Sequence, residues 1–149
     1  MRSTSGPAAK PVTFTESVYT FHIDFNGHVS NIVYVEWMEI ARNRLLEAIG
    51  LSVHKIMETG FAPVLIETQI TYKHPVHLGD TVTVEIWLTE VTPLHAWMAI
   101  RITRSDGALA AFGRQRGIFV RMDTGRPRRL TVEEQARFNA FLIPDTTIS

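Results

Sequence analysis

The spacing of hydrophobic residues changes twice along the chain. Residues 13–23, Thr-Phe-Thr-Glu-Ser-Val-Tyr-Thr-Phe-His-Ile, are mostly β-branched or aromatic and partly alternate, which predicts a strand. A polar break from Asp24 to Ser30 follows, with Gly27 inside it. From Ile32 to Ile49 the period becomes helical: Tyr34, Met38, Ala41, Leu45 and Ile49 recur at steps of three and four. Val33, Trp37 and Ile40 widen the apolar surface beyond one stripe, and Glu36, Glu39, Asn43 and Glu47 leave only a narrow polar line. A helix apolar over most of its circumference calls for enclosure on several sides. Ser30 or Asn31 suits its N-cap, and Gly50 suits the position just past its C-terminus.

Leu51 to Gly60 reads as a short helix or an irregular connection. Four strands are then expected, over Ala62–Tyr72, Asp80–Thr92, His95–Arg104 and Ala108–Arg121. They are separated by turn signals at His74-Pro75, Gly79-Asp80, Thr92-Pro93 and Asp106-Gly107, the last a strong hairpin signal. Thr124-Gly125 and Pro127 close the last of these strands. Thr131 to Leu142 predicts a terminal helix, with Thr131 and Glu134 at capping-box spacing. Consecutive hairpins imply an antiparallel sheet, and one long apolar helix needs a sheet to cover it. The expected class is therefore α+β, a curved antiparallel sheet wrapped around one long central helix. The domain is expected to span residues 13–143, with a flexible Ser-, Ala- and Pro-rich leader at 1–12 and a tail at 144–149.

A chain of 149 residues suits one domain. Its 15 basic and 15 acidic residues balance, so bulk charge favours neither nucleic acid nor an anionic membrane. The absence of cysteine excludes disulfides, thiolate metal ligands and a thiol nucleophile. No apolar run approaches the roughly 18 residues of a spanning helix, and the leader lacks the apolar stretch of a signal peptide. The expected location is the cytoplasm.

Candidate chemistry gathers in the polar break. Asp24, Asn26, His28 and Asn31 lie between a strand and a helix N-terminus, whose free N–H groups and partial positive charge suit a developing oxyanion. An aspartate there serves as general base on water or as a nucleophile. The plainer reading is that these residues are turn formers and caps, with Gly27 a turn glycine. Elsewhere the plain reading prevails. Glu36, Glu39 and Glu47 form a solvated line, Glu39 pairing with Arg42. His54 with Glu58, and His74 with His77, lack the further ligands of a metal site, so no metal is expected. Tyr34, Trp37 and Met57 are candidates to line a pocket. Arg114 and Arg116, the first of a basic series that runs through Arg121, Arg126, Arg128 and Arg129, are candidates for binding phosphate.

The segment Asp24-x-x-Gly27-His28-Val29-x-Asn31-x-x-Tyr34 resembles the signature of the 4-hydroxybenzoyl-CoA thioesterase family of hotdog-fold enzymes. The resemblance continues through Glu39-Ile40-Ala41-Arg42 to Gly50, then Ile70-Thr71-Tyr72, Pro75 and Leu78-Gly79-Asp80-Thr81-Val82, and ends near Arg126 to Leu130. The chain is also similar to thioesterases acting on 1,4-dihydroxy-2-naphthoyl-CoA and to plant acyl-carrier-protein thioesterases. The resemblance implies a hotdog fold and an acyl-CoA thioesterase that needs no cofactor. Asp24 takes the catalytic carboxylate, and the Asn31 amide polarises the thioester carbonyl. Asn26 and His28 match an Asp-x-Asn-x-His motif that positions water or substrate. Gly27, Tyr34, Trp37, Arg114 and Arg116 are the expected substrate contacts. Ser30 and His22 depart from the residues most frequent at their positions. A homo-oligomer, dimer or tetramer, is implied, with the site between subunits. An acyl-carrier-protein thioesterase and a hotdog domain that binds acyl-CoA without hydrolysing it are the alternatives.

Overall fold

The computed structural model describes residues 9–144. Most of the expected leader and tail, residues 1–8 and 145–149, lies outside the described residues, and Val12 already belongs to the first strand. The elements run β1 (Val12–Ser17), a 3-10 turn (Thr20–His22), α1 (Asn31–Ile49), α2 (Val53–Glu58), β2 (Phe61–Tyr72), β3 (Thr81–Val91), β4 (Ala96–Arg104), β5 (Leu109–Arg121), β6 (Pro127–Arg128) and α3 (Val132–Asn139). All strand pairs are antiparallel, in the spatial order β1-β3-β4-β5-β2, with β6 folding back onto β5. This is the expected α+β hotdog arrangement, with α1 lying against one face of the sheet.

Register explains which residues meet the helix. On β3, Val82, Val84, Ile86 and Leu88 turn inward, as do Met98, Ile100 and Ile102 on β4, and all are buried. From α1, Val33, Tyr34, Trp37, Met38, Ala41, Leu45 and Ile49 meet them. Gly113 on β5 lets the helix come close, because a Cβ there would stand 2.5 Å from the Met38 terminal methyl. Ser30 caps α1, its hydroxyl receiving the Ile32 amide, and Gly50 ends it in the left-handed region at φ 90°. Thr131 and Glu134 cap α3 reciprocally, as their spacing predicted.

Three expectations change. The strand expected to reach residue 23 stops at Ser17, because the backbone beyond it bonds locally. Tyr19 N–H donates to His22 Nδ1, and the His22 and Ile23 amides donate to the Tyr19 and Thr20 carbonyls. The helix is not enclosed all round, since the sheet covers only one side: Ile32 is 69% exposed and Val35 40%. A short strand, β6, also follows the Thr124-Gly125 turn, where the sequence suggested only an end.

Candidate active site

The segment between the 3-10 turn and α1 is a closed loop. Its arms pair through an Ile23–Val29 bridge, and the Ser30 amide donates to the His22 carbonyl. At its tip Gly27 takes φ 80°, which only glycine adopts without cost, and its amide returns to the Asp24 carbonyl. The Asp24 carboxylate also shapes this turn. Its Oδ1 accepts from the Asn26 amide at 2.9 Å and from the His28 amide at 3.3 Å. Oδ1 is a turn acceptor, as the plainer sequence reading expects, while Oδ2 has no hydrogen-bond partner among the described residues. Asp24 is half-buried, and Asn26, Gly27 and His28 are exposed around it.

Asn31 opens α1 directly after this loop. It is the first helical residue, so its N–H has no intrahelical acceptor. Tyr34, one turn further on, is buried and ties the cluster together. Burial raises its phenol above the ordinary tyrosine range. A hydrogen bond from the Val76 backbone and the charge of Arg104 oppose that shift, while Tyr72 and the Asp24 carboxylate reinforce it. The Tyr72 ring meets the Tyr34 ring at 5.1 Å, and burial raises its phenol too. Below them Trp37 is buried, in edge contact with Tyr34 and His22.

The β2–β3 loop forms a second wall. The Val29 amide donates to the Val76 carbonyl at 2.8 Å, and the His28 ring stands edge-on to His77 at 5.0 Å. Asp80 accepts the His77 amide, and Arg104 holds this loop through the Pro75 carbonyl. Val76, His77 and Arg104 were not singled out from sequence as site residues. His77 was visible only as a turn histidine, and nothing local marks Arg104, which arrives from the far end of β4 by topology. Among the described residues no cluster of three or more His, Asp or Glu is arranged to hold a metal ion.

Asp24, Asn26, Gly27, His28, Asn31 and Tyr34 are thus brought together, with Trp37 beneath them. Arg114 and Arg116 are not. They alternate with Gly113, Gln115 and Gly117 on β5, and Gln115 faces inward to receive Arg42 from α1. Both arginines therefore lie on the outer face of the sheet, stacked over Trp97, with Arg116 paired to Glu67. Met57 is also elsewhere. It lines a cavity of about 370 Å³ beside the C-terminal half of α1, to which Tyr34 and Trp37 do not contribute.

The sequence profile of the thioesterase-like superfamily matches residues 18–144. The chain belongs to that family. Among relatives, YneP of Bacillus subtilis, a candidate acyl-CoA thioesterase, is 25% identical over 104 residues, 70% of this chain and 75% of its own. The Staphylococcus aureus protein SAV2348, solved in complex with CoA, superposes with a TM-score of 0.87 at 20% identity, covering 98% of this chain and 92% of the other. Slr0204 of Synechocystis, a 1,4-dihydroxy-2-naphthoyl-CoA thioesterase, gives 0.79 at 21% identity, covering 87% of this chain and 96% of its own. At these identities the two structures speak for the fold. Among the described residues no helix is long and apolar enough to cross a membrane.

Proposed function

We propose that this chain hydrolyses an acyl-CoA thioester to a free carboxylic acid and CoA. The observation that supports the reading is a loop that anchors Asp24 by Oδ1, leaves Oδ2 without a hydrogen-bond partner among the described residues, and leads directly into the N-terminus of α1. In this mechanism the thioester carbonyl rests on the Asn31 amide, where the helix dipole stabilises the negative charge that develops on attack. Asp24 Oδ2 takes a proton from water as the water adds to the carbonyl, or attacks the carbonyl itself to form an anhydride that water then cleaves; on either route the CoA thiolate leaves and is protonated, and the acid is released. His28 and Asn26 orient the water or the thioester, and Tyr34 and Tyr72 form the floor.

The Asp24 loop lies at the surface, with Asn26, Gly27 and His28 exposed. Beside it runs β2, a 12-residue edge strand bonded only to β5 among the described residues. A long unpaired edge is a template for a second chain. Pairing of two such edges about a twofold axis joins the sheets, and it sets the end of one β2, at Tyr72, beside the start of the other, at Phe61. The working enzyme is then a homo-oligomer, dimer or tetramer, with its sites between subunits.

Thiol release from acyl-CoA substrates tests the chemistry. Asp24→Asn keeps an oxygen acceptor for the turn and lowers turnover by about 10²–10⁴-fold, the usual contribution of a positioned base. Near wild-type turnover in a folded variant removes Asp24 from the mechanism. Tight binding of acyl-CoA with no thiol released by the wild-type protein turns the reading into that of a carrier.

A further inference from the structure

We infer that the 370 Å³ cavity beside α1 is the seat of an unbranched aliphatic acyl chain, an assignment that rests on the thioester-hydrolase reading above. The cavity lies between the second half of α1, α2, the start of β2 and the inner faces of β4 and β5, with α3 at its end. Its surface is mainly hydrocarbon, with Leu45, Leu46, Met57, Leu94, Met98 and Phe138 among the contributors.

The polar groups on its wall favour a hydrocarbon occupant over a hydroxylated ring. Glu39 pairs with Arg42, and the Asn43 amide donates to the Glu39 carbonyl at 3.0 Å. Arg42 donates to Gln115 Oε1 at 3.1 Å, and Gln115 in turn donates to Thr68. His95 faces Glu90 at 3.4 Å, and Arg128 is held by both carboxylate oxygens of Glu134. Each charged side chain on the wall thus already has a partner inside the protein. A phenolic hydroxyl brought here loses water and meets charged groups already committed to one another, a cost that a methylene does not suffer.

Position explains how the cavity is reached. From Asn31 to Leu45 the helix rises about 21 Å, too far for a thioester held at Asn31 to place its first carbons in the cavity of the same protomer. The cavity includes Ala62, Pro63, Val64 and Leu65 at the start of β2. Twofold pairing of the β2 edges sets that start beside the Tyr72 end of the partner, so the chain passes from one protomer's Asp24 site into the other's cavity.

Size sets the limit. Taking about 30 Å³ as the share of one water-sized group, the cavity accepts roughly twelve such groups. The value of kcat/KM is expected to rise about fourfold per added methylene until the cavity fills, at about eight to twelve carbons. Hydroxyaryl thioesters fall below aliphatic ones of similar size by about 10–100-fold.

The test compares straight-chain acyl-CoAs of two to sixteen carbons with 4-hydroxybenzoyl-CoA, on the wild-type protein and on Met57→Trp and Leu94→Trp. Both positions lie on the cavity wall and are nearly half exposed, 45% and 47%, so the larger ring does not invade the core. Each variant is expected to lower the ratio of long-chain to short-chain kcat/KM at least tenfold. Calorimetry on the wild-type protein, expected to detect decanoate but not 4-hydroxybenzoate, keeps the test independent of the variants. A preference for the hydroxyaryl substrate, or chain-length profiles unchanged in both variants, overturns the cavity assignment and leaves the hydrolase reading in place. Absence of thiol release from any acyl-CoA by the wild-type protein overturns the hydrolase reading, and the assignment with it.

Discussion

Mixing two damaged proteins tests whether one site draws on two subunits. Asp24→Asn removes the proposed catalytic carboxylate but keeps its cavity, whereas Met57→Trp fills the cavity but keeps the carboxylate. Within one protomer the two features stand apart, because Val64 and Tyr72 are eight residues apart on β2 and a strand rises about 3.4 Å per residue, roughly 27 Å in all. Across a twofold through the middle of β2 they become neighbours. When the two variants are unfolded together and refolded at equal concentration, random pairing makes half the dimers mixed, and each mixed dimer holds one intact site of two. Hydrolysis of decanoyl-CoA then recovers to about a quarter of the wild-type rate. The average of the two parents is about a twentieth or less if the filled cavity retains a tenth of its activity and the Asp24 variant a hundredth. A mixture no faster than that average, with light scattering confirming dimers, refutes the shared site. Light scattering that finds monomers at micromolar concentration refutes the oligomer as well.

Two further predictions concern the frame that holds the site. Gly113→Ala forces its new methyl against Met38, whose terminal carbon stands 2.5 Å from the Cβ position. The expected loss is about 1–3 kcal/mol, a melting temperature lower by roughly 2–12 °C, and Met38→Leu in the same chain recovers part of it. Strictly additive losses in that pair contradict the contact. The second concerns Glu134. Burial pushes its carboxyl up, but Arg128 and the Thr131 amide together hold it below the ordinary value of 4.5. Its folded pKa is therefore depressed, so the stabilisation is full above pH 4.5 and fades as pH falls through the folded value. Glu134→Gln is expected to cost about 1–2 kcal/mol at pH 7 and progressively less towards pH 3. A denaturant midpoint difference that stays constant over that range shows that the charge is not what matters.

What sequence revealed depended on how locally each feature is encoded. The three-and-four spacing from Tyr34 to Ile49 fixed α1 to within a residue, and Asp106-Gly107 marked its hairpin. Residues 18–23 misled because aromatic and β-branched side chains suit a strand, yet His22 folds back to take the Tyr19 amide, and no periodicity records that bond. The Asp24 loop was legible as a turn leading into α1 because its residues lie in one short stretch. Val76, His77 and Arg104 were not, since they come from a distant loop and strand and are brought to the Asp24 loop only by sheet topology. Arg114 and Arg116 looked available as free cations. Strand parity, which depends on Gly113 and Gln115 facing the helix, carries them to the other side of the sheet.

The double duty of Asp24 has a practical consequence for dissecting this protein. Because Oδ1 holds the Asn26 and His28 amides, truncating the side chain removes the proposed reagent and slackens the loop that presents it. An alanine scan therefore reports the sum of two losses at this position and overstates the chemical one. Lengthening to glutamate leaves the charge but moves both oxygens away from the turn. Only an amide of the same length separates architecture from reactivity, and the gap between Asp24→Ala and Asp24→Asn measures how much of the enzyme's rate is owed to the shape of the loop.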